Sequence, residues 1–354
     1  MKKLLLFLFL SQYFLVSASP CWERVDKVGW TYFSIADKIY PEVDSIRYIV
    51  SQSFNPENPT IFFSQGSGNY PLLVYSDYSK DSSRNYVMTP PFLVKEYVKK
   101  YNFVVIAKPG MPICKPHTEH LPLIDTAFGN YSMFCKMDFL YYYVEQLNQV
   151  VDVIRKKSST NVPFFFIGNS QGGRVVAKFT EKYPQKVQRL VLQSTSIMDR
   201  YAEQIHECRL LADKGQISAE EAQQRINSIY QYYQYLKDYS TYFETETDIT
   251  TLSEIEHYNY MTDASYNFDV ILSQLQHIDC PILVVYGTAD IKTRDNDLLP
   301  LFFTRWGKDN LNLMPIVDCN HIFVKTITDK QTNEQKQEYI GDEVFADIEK
   351  WLSK

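Results

Sequence analysis

PFFFIGNSQGG, residues 163–173, contains the transition that decides the fold. The apolar run Phe164–Ile167 predicts a buried strand of a parallel sheet. The next five residues match the pattern Gly-x-Ser-x-Gly, with Ser170 at its centre, and a predicted helix follows over residues 174–183. A strand, a sharp turn and a helix in this order are typical of a nucleophile elbow, which lifts the serine hydroxyl onto the amino end of a helix. We therefore predict that Ser170 is a nucleophile.

Two residues far along the chain are candidates for its partners. A serine hydroxyl is a weak nucleophile unless a base removes its proton and an acid orients that base. Asp290 follows a predicted strand over residues 281–286, and His321 follows another over residues 311–317. The carboxyl ends of parallel strands meet at one edge of a sheet, so Ser170, Asp290 and His321 should emerge together. Asp199, which follows the sixth predicted strand, is an alternative acid.

This arrangement resembles the serine hydrolases of the α/β-hydrolase fold. The resemblance covers nearly the whole mature chain and depends on the elbow, on Gly287-Thr288-Ala289-Asp290 and on His321. It implies that Ser170 is the nucleophile, Asp290 the acid and His321 the base. It also implies an oxyanion hole formed by the backbone N–H groups of Gln171 and Ser67. Neither a cofactor nor a metal ion is implied.

Two positions depart from the usual pattern of that fold. Gln65 stands where a histidine is usual in the turn that contains Ser67. After the fourth strand the frequent Asp-x-Arg-Gly is replaced by Ala107-Lys108-Pro109-Gly110. Contact between Lys108 and the substrate stays an open question, and the sequence favours a surface lysine at a strand end.

The remaining pattern predicts an α/β fold with a mostly parallel eight-stranded sheet flanked by helices. Residues 25–33 and 45–53 alternate in polarity and predict antiparallel edge strands, while residues 91–101, 138–157 and 341–352 predict helices. Residues 197–275 are helical, charged and rich in tyrosine, which indicates a lid inserted after strand six. A capping box of Ser218 and Glu221 starts one of its helices. Most lid tyrosines are expected to pack the lid against the body, and fewer to line an acyl or aryl pocket.

The amino terminus predicts export. Residues 1–18 combine a basic start, an apolar run and small residues before a cleavage point, as in a signal peptide. Residues 19–354 then form a single domain that is secreted or periplasmic, with no stable membrane span. A lipoprotein anchor at Cys21 is the less favoured alternative, because Pro20 stands where a small residue should precede a lipidated cysteine.

The cysteines and one histidine pair need separate interpretations. Among six cysteines, Cys114 and Cys135 are the expected disulfide pair, Cys280 with Cys319 is doubtful, and Cys21 and Cys208 stay open. The stretch His117-Thr118-Glu119-His120 lacks the spacing of a helical zinc motif and predicts a solvated loop. A formal net charge of −6 argues against a nucleic-acid partner.

The sequence therefore predicts an exported, carboxylesterase- or lipase-like serine hydrolase that cleaves a carboxylic ester of a small molecule. A serine exo-peptidase acting on short peptides is the second hypothesis, and it would need a charged clamp for a peptide terminus. A non-catalytic binding module that retains the fold is the third.

Overall fold

The computed structural model describes residues 21–75, 86–88, 96–116, 130–240, 254–328 and 335–354. Within these residues the main sheet has eight strands, which we number along the chain as β1 (Trp30–Ala36), β2 (Ser45–Ser51), β3 (Thr60–Ser64), β4 (Asn102–Ile106), β5 (Phe164–Asn169), β6 (Arg189–Gln193), β7 (Ile282–Gly287) and β8 (Leu311–Ile316). Their spatial order is β1-β2-β4-β3-β5-β6-β7-β8. Strand β2 runs in the opposite direction to the other seven strands, so its pairings with β1 and β4 are antiparallel and all other pairings in the sheet are parallel. This confirms the predicted fold, a mostly parallel eight-stranded sheet of the α/β-hydrolase type.

The described helices are α1 (Cys21–Lys27), α2 (Tyr131–Met137), α3 (Leu140–Lys157), α4 (Gln171–Lys182), α5 (Arg200–Asp213), α6 (Ala219–Ser240), α7 (Glu254–Asn267), α8 (Ile271–Leu275), α9 (Leu299–Trp306) and α10 (Gly341–Leu352). Helices α3 and α4 cover one face of the sheet, and α10 covers the other. Both faces are therefore buried, which explains the near-continuous apolar strands. None of the helices in the described ranges is long and apolar enough to span a membrane.

Alternation along the central strands sends apolar side chains to both faces. In β3, Phe62 packs with the α3 and α4 side, while Ile61 and Phe63 pack with the α10 side. In β5, Phe166 stacks on Phe62 with ring centroids 5.0 Å apart. This packing holds the carboxyl ends of β3 and β5 side by side, where the loops of the site begin.

The antiparallel edge strand predicted over residues 25–33 is present as β1, but its bounds are wrong, because the chain first forms α1 and enters the strand only at Trp30. Glu23 in the first turn and Lys27 in the last turn of α1 suit the helix dipole. Gly29 then adopts a φ of +86°, which favours glycine and separates the helix from the strand.

Short strands outside the main sheet escaped the sequence analysis. One small sheet pairs Leu73–Tyr75 with Tyr86–Met88 and Cys114–Pro116. A hairpin pairs Val324–Thr328 with Gln335–Tyr339, directly after the loop that contains His321. Of the helix predicted for residues 91–101, residues 91–95 lie outside the described residues, and the rest forms turns in which the Lys100 and Tyr101 N–H groups both donate to the Tyr97 carbonyl.

A helical insertion lies between β6 and β7, formed in the described residues by α5 to α8. The Ser218 hydroxyl accepts a hydrogen bond from the Glu221 N–H at 3.0 Å, which confirms the predicted start of α6. The aromatic side chains pack mainly on one another within the insertion, as Tyr201 does with Tyr232 and Tyr233. The expectation that they chiefly join the lid to the body is corrected accordingly.

The predicted Cys114–Cys135 disulfide is wrong. Cys114 is disulfide-bonded, but Cys135 is a free thiol buried against Met111 and Phe134. Residues 131–137 form α2, and this helix holds Cys135 in an apolar cluster. Cys280 and Cys319 are both free, which confirms the doubt about that pair.

Candidate active site

Ser170 occupies a strained turn between β5 and α4. Its φ is +53° and its ψ is −118°, a conformation that costs free energy for any residue with a β-carbon. The end of β6 supports it, because the Ser170 N–H donates to the Gln193 carbonyl at 2.9 Å. The Thr195 hydroxyl donates to the Ser170 carbonyl at 3.1 Å. Fixed backbone contacts therefore present the Ser170 side chain.

The elbow glycines are required because the backbone segments approach one another closely. A β-carbon on Gly168 would lie 2.5 Å from the carbonyl carbon of Gly172. One on Gly172 would lie 2.6 Å from the Gln65 carbonyl oxygen and closer still to that of Ser64. Both distances are well below van der Waals contact, so the glycines allow α4 to start directly against the loop that follows β3.

His321 bridges Ser170 and Asp290. Its Nε2 lies 3.1 Å from Ser170 Oγ, and its Nδ1 lies 2.7 Å from Asp290 Oδ2. The three side chains come from the loops after β5, β7 and β8, at one edge of the sheet. The arrangement can transfer the hydroxyl proton to the imidazole while a carboxylate stabilises the resulting cation.

Asp290 is buried and held by its own loop. Its Oδ1 accepts a hydrogen bond from the Lys292 N–H at 3.0 Å, and its Oδ2 accepts one from the Thr293 hydroxyl at 3.1 Å. The alternative acid, Asp199, is used differently, because its carboxylate caps α5 by accepting from the Ala202 N–H at 2.8 Å.

The two predicted oxyanion residues border the same cavity as Ser170 and His321. Gln171 is the first residue of α4, and Ser67 lies in the loop after β3. That loop passes close to the elbow, since a β-carbon on Gly66 would lie 3.4 Å from the Ser170 β-carbon. The loop and the helix start thus flank the hydroxyl.

The cavity has a volume of about 290 Å³ and extends from Ser170 under the helical insertion. Every described residue that lines it has a polar side chain: Ser67, Ser170, Gln171, Arg174, Ser194, Ser196, Arg200, Glu203, Thr262, Asp263, Tyr266, Asn267, Lys292 and His321. Three of these lining residues, Ser194, Ser196 and Tyr266, have hydroxyl oxygens that are buried and have no hydrogen-bond partner among the described residues. Such groups are costly unless something bonds to them.

Charged residues in this cavity were missed by the sequence analysis. Arg174 donates to the carbonyls of Met198 and Tyr266 at 2.7 and 3.1 Å, and it lies 3.7 Å from Glu203. Burial raises the pKa of Glu203, although Arg174 opposes this. These residues belong to α4 and α5, whose amphipathic patterns alone do not reveal which polar side chain faces a cavity.

Lys108 is not the surface residue that the sequence favoured. Its side chain is buried, with only 4% of the residue exposed, and its Nζ donates to Gln171 Oε1 at 2.9 Å. Helices α2 and α3 cover it, because the rings of Phe134 and Tyr143 both lie 5.6 Å from the ammonium group.

The motif His117-Thr118-Glu119-His120 lies outside the described residues. Within the part of the chain that the structure describes, no group of three or more histidine, cysteine, aspartate or glutamate side chains is arranged to hold a metal ion.

Comparisons with known proteins identify the family of this chain. A model of the serine aminopeptidase S33 family matches residues 134–311, which is half of the 354-residue chain. The match includes Ser170 and Asp290 and ends before His321. The comparison with curated proteins gave no match.

Solved structures share the fold at low sequence identity. A thermostable carboxyl esterase from Bacillus coagulans is 10% identical, with a TM-score of 0.51, and the similarity covers 92% of this chain and 96% of that one. A putative dipeptidyl aminopeptidase IV from Bacteroides ovatus is 11% identical with a TM-score of 0.45, covering 82% of this chain but only 32% of that one. This chain thus spans about a third of the length of that protein. The likeness to the carboxyl esterase indicates the fold and not the substrate.

Proposed function

The chain belongs to the serine aminopeptidase S33 family of serine hydrolases, and from this premise we propose that it is an exported enzyme that cleaves the carboxylic ester of a small, polar acid. The observation that carries the proposal is the pair of distances around His321, 3.1 Å to Ser170 Oγ and 2.7 Å to Asp290 Oδ2. A binding module that merely retained the fold would have no need of this aligned set.

In the proposed mechanism His321 Nε2 accepts the Ser170 proton as Oγ attacks the ester carbonyl. The Nδ1–H donates to Asp290, which orients the imidazole and stabilises its positive charge. The N–H groups of Gln171 and Ser67 bind the oxyanion, and the imidazolium then protonates the departing alcohol. Water, activated by His321, hydrolyses the acyl-enzyme and regenerates Ser170.

The cavity composition supports a polar acid and argues against a lipase-like, long-chain substrate. A fatty acyl chain would lie against charged side chains such as Arg200, Glu203 and Lys292, whereas a polar acyl group can bond to such side chains. The volume of about 290 Å³ is also small for a long chain.

An exo-peptidase is the second candidate, and a specific observation favours it. The carboxylates of Glu203 and Asp263 both border the cavity and could bind the ammonium group of a short peptide, as the charged clamp that such an enzyme needs. Glu203 already lies 3.7 Å from Arg174, and Asp263 lies 3.6 Å from Arg200. These ion pairs make both carboxylates less available to bind a peptide ammonium group. We therefore favour hydrolysis of an ester over that of a peptide.

Export is supported by the predicted signal peptide over residues 1–18 and by the disulfide bond of Cys114, since disulfides persist mainly outside the cytosol. The prediction that a lipid anchor at Cys21 is less favoured stands as part of this proposal. Mass spectrometry of the exported protein would identify its first residue and any lipid on it.

A substrate panel tests the choice of bond and acid. We would measure kcat/KM for p-nitrophenyl methoxyacetate, butyrate and octanoate, each corrected for its rate with hydroxide, and for aminoacyl p-nitroanilides, with Ser170→Ala as the inactive control. The methoxyacetate should exceed the octanoate by at least about tenfold. Preference for the octanoate would refute the polar acid. Turnover of the anilides alone, lost in Glu203→Gln, would establish the exo-peptidase instead.

A further inference from the structure

Lys108 is a buried cation, and in the part of the chain that the structure describes its hydrogen bonding involves no carboxylate. Its described hydrogen bond goes to a neutral amide oxygen, that of Gln171, at 2.9 Å. The rings of Phe134 and Tyr143, each 5.6 Å away, offset only part of the cost of burying this charge, so a purely structural role would be served as well by a neutral side chain.

Gln171 connects this cation to the proposed oxyanion hole. It lines both the large cavity that contains Ser170 and a second, internal cavity of about 30 Å³ that Lys108 also lines. Ser64 and Gln65, which lead into the loop of Ser67, line the internal cavity too. Lys108 therefore borders the same cavity as Gln171 and as the residues that lead to Ser67.

A second contact fixes the other end of the Gln171 amide. Its Nε2 donates to Asp138 Oδ1 at 3.4 Å, and the same oxygen accepts from the Tyr143 hydroxyl at 2.9 Å. With Oε1 bound to Lys108, the side chain of Gln171 is held at both polar atoms.

We propose that Lys108 is a positioning residue of the oxyanion hole: it fixes Gln171 through the side chain and places a positive charge behind the N–H that meets the oxyanion. The inference rests on the proposed function, in which Gln171 supplies that N–H. The charge acts in a region of low dielectric, where it favours the transition state over the neutral ester.

The dependence of kcat on alkaline pH should report whether Lys108 is protonated. Burial lowers the pKa of Lys108, and Asp138 opposes this in part. Among the groups that face it, the Tyr143 hydroxyl stays neutral because burial raises its pKa well above the ordinary value. When Lys108 loses its proton, the charge behind the hole disappears, so kcat should fall on the alkaline side.

The test compares Lys108→Met with the wild-type enzyme on a p-nitrophenyl ester. We expect kcat to fall by about tenfold to a hundredfold while KM changes by less than about threefold, since the interaction acts mainly in the transition state. The affinity for a boronic acid, which forms a tetrahedral adduct with the serine, should fall by a similar factor. The alkaline fall in kcat should be absent from the variant.

Two further variants separate positioning from stability. Lys308→Met is the matched control, because Lys308 is also largely buried and bonds to the carbonyls of Gln276 and Ile278, remote from Ser170. It should lower thermal stability and leave kcat unchanged. If Lys108→Met does not fold, Lys108→Arg replaces it. The kcat of this variant should not fall at alkaline pH, because a guanidinium keeps its proton.

Unchanged kcat in Lys108→Met, or an alkaline limb that persists in either Lys108 variant, would overturn the proposal. Failure of the proposed function would look different, because Ser170→Ala would then retain the same ester turnover as the wild-type enzyme.

Discussion

Gly172→Ala tests how the elbow is assembled. The new β-carbon would lie 2.6 Å from the Gln65 carbonyl oxygen and closer still to that of Ser64, whereas ordinary contact begins at 3.4 Å, so the two backbone segments must separate by more than about 0.8 Å. One of these segments begins α4 with Gln171, and the other leads to Ser67. The substitution therefore widens the proposed oxyanion hole directly.

The size of the effect follows from that displacement. A misplacement of about 1 Å in a catalytic constellation can cost about a hundredfold in rate, and we expect a loss of this order in kcat. Overpacking at such a site costs about 1–3 kcal/mol in the free energy of unfolding, so the variant should still fold.

The assay combines ester turnover at saturating substrate with urea unfolding. Gly215→Ala is the control, because Gly215 has a φ of +68° and no atom within 4 Å of the position its β-carbon would take. Its strain should lower stability by about 1 kcal/mol without changing kcat. A Gly172→Ala enzyme with wild-type kcat would refute the close contact between the elbow and the Gln65 loop.

Three other predictions concern the acid, a buried carboxyl and the cysteines. Asp290→Asn should lower kcat by about ten-thousandfold with little change in KM, because the amide favours the wrong imidazole tautomer; steady-state kinetics that show less than a tenfold loss would contradict this. Burial raises the pKa of Glu203 in the folded chain above its ordinary value of 4.5. Between 4.5 and the raised pKa, the folded state therefore holds a proton that the unfolded state has released, and the free energy of unfolding falls as pH rises through this range. Thermal unfolding from pH 4 to 8 should accordingly show the wild type losing stability relative to Glu203→Gln as pH rises, and parallel curves would contradict the shift. Cys114→Ser should cost about 2–4 kcal/mol in urea unfolding and abolish sensitivity to reductant, whereas Cys135→Ser should keep that sensitivity, and its loss in Cys135→Ser as well would restore the rejected disulfide.

The sequence predicted the sheet well because its signals are local. Apolar runs marked the buried strands, and the spacing of Val344, Ile348 and Leu352 predicted the last helix with the bounds Gly341–Leu352 that the structure has. The elbow could be recognised for a similar reason, since a strand, two glycines and a helix within a few residues constrain one another. Ser170, Asp290 and His321 could be grouped because parallel strands bring their carboxyl ends together.

Features that depend on distant packing were missed. The sequence around Lys108 predicts an exposed side chain at a strand end. Lys108 is buried because Phe134 and Tyr143, from helices later in the chain, pack against it. The polar cavity is built by side chains from Ser67 to His321, with no shared local pattern. The disulfide pairing failed likewise, because Cys135 lies on a helix that turns it into an apolar cluster.

The central claim is that Ser170 is a nucleophile activated by His321, and covalent labelling measures this most directly. We would incubate the folded protein with a fluorophosphonate probe and locate the adduct by mass spectrometry. The account predicts one adduct, on Ser170, with labelling abolished in Ser170→Ala and slowed by at least about a thousandfold in His321→Ala. A wild-type protein that stays unlabelled, or labels equally fast without His321, would contradict it.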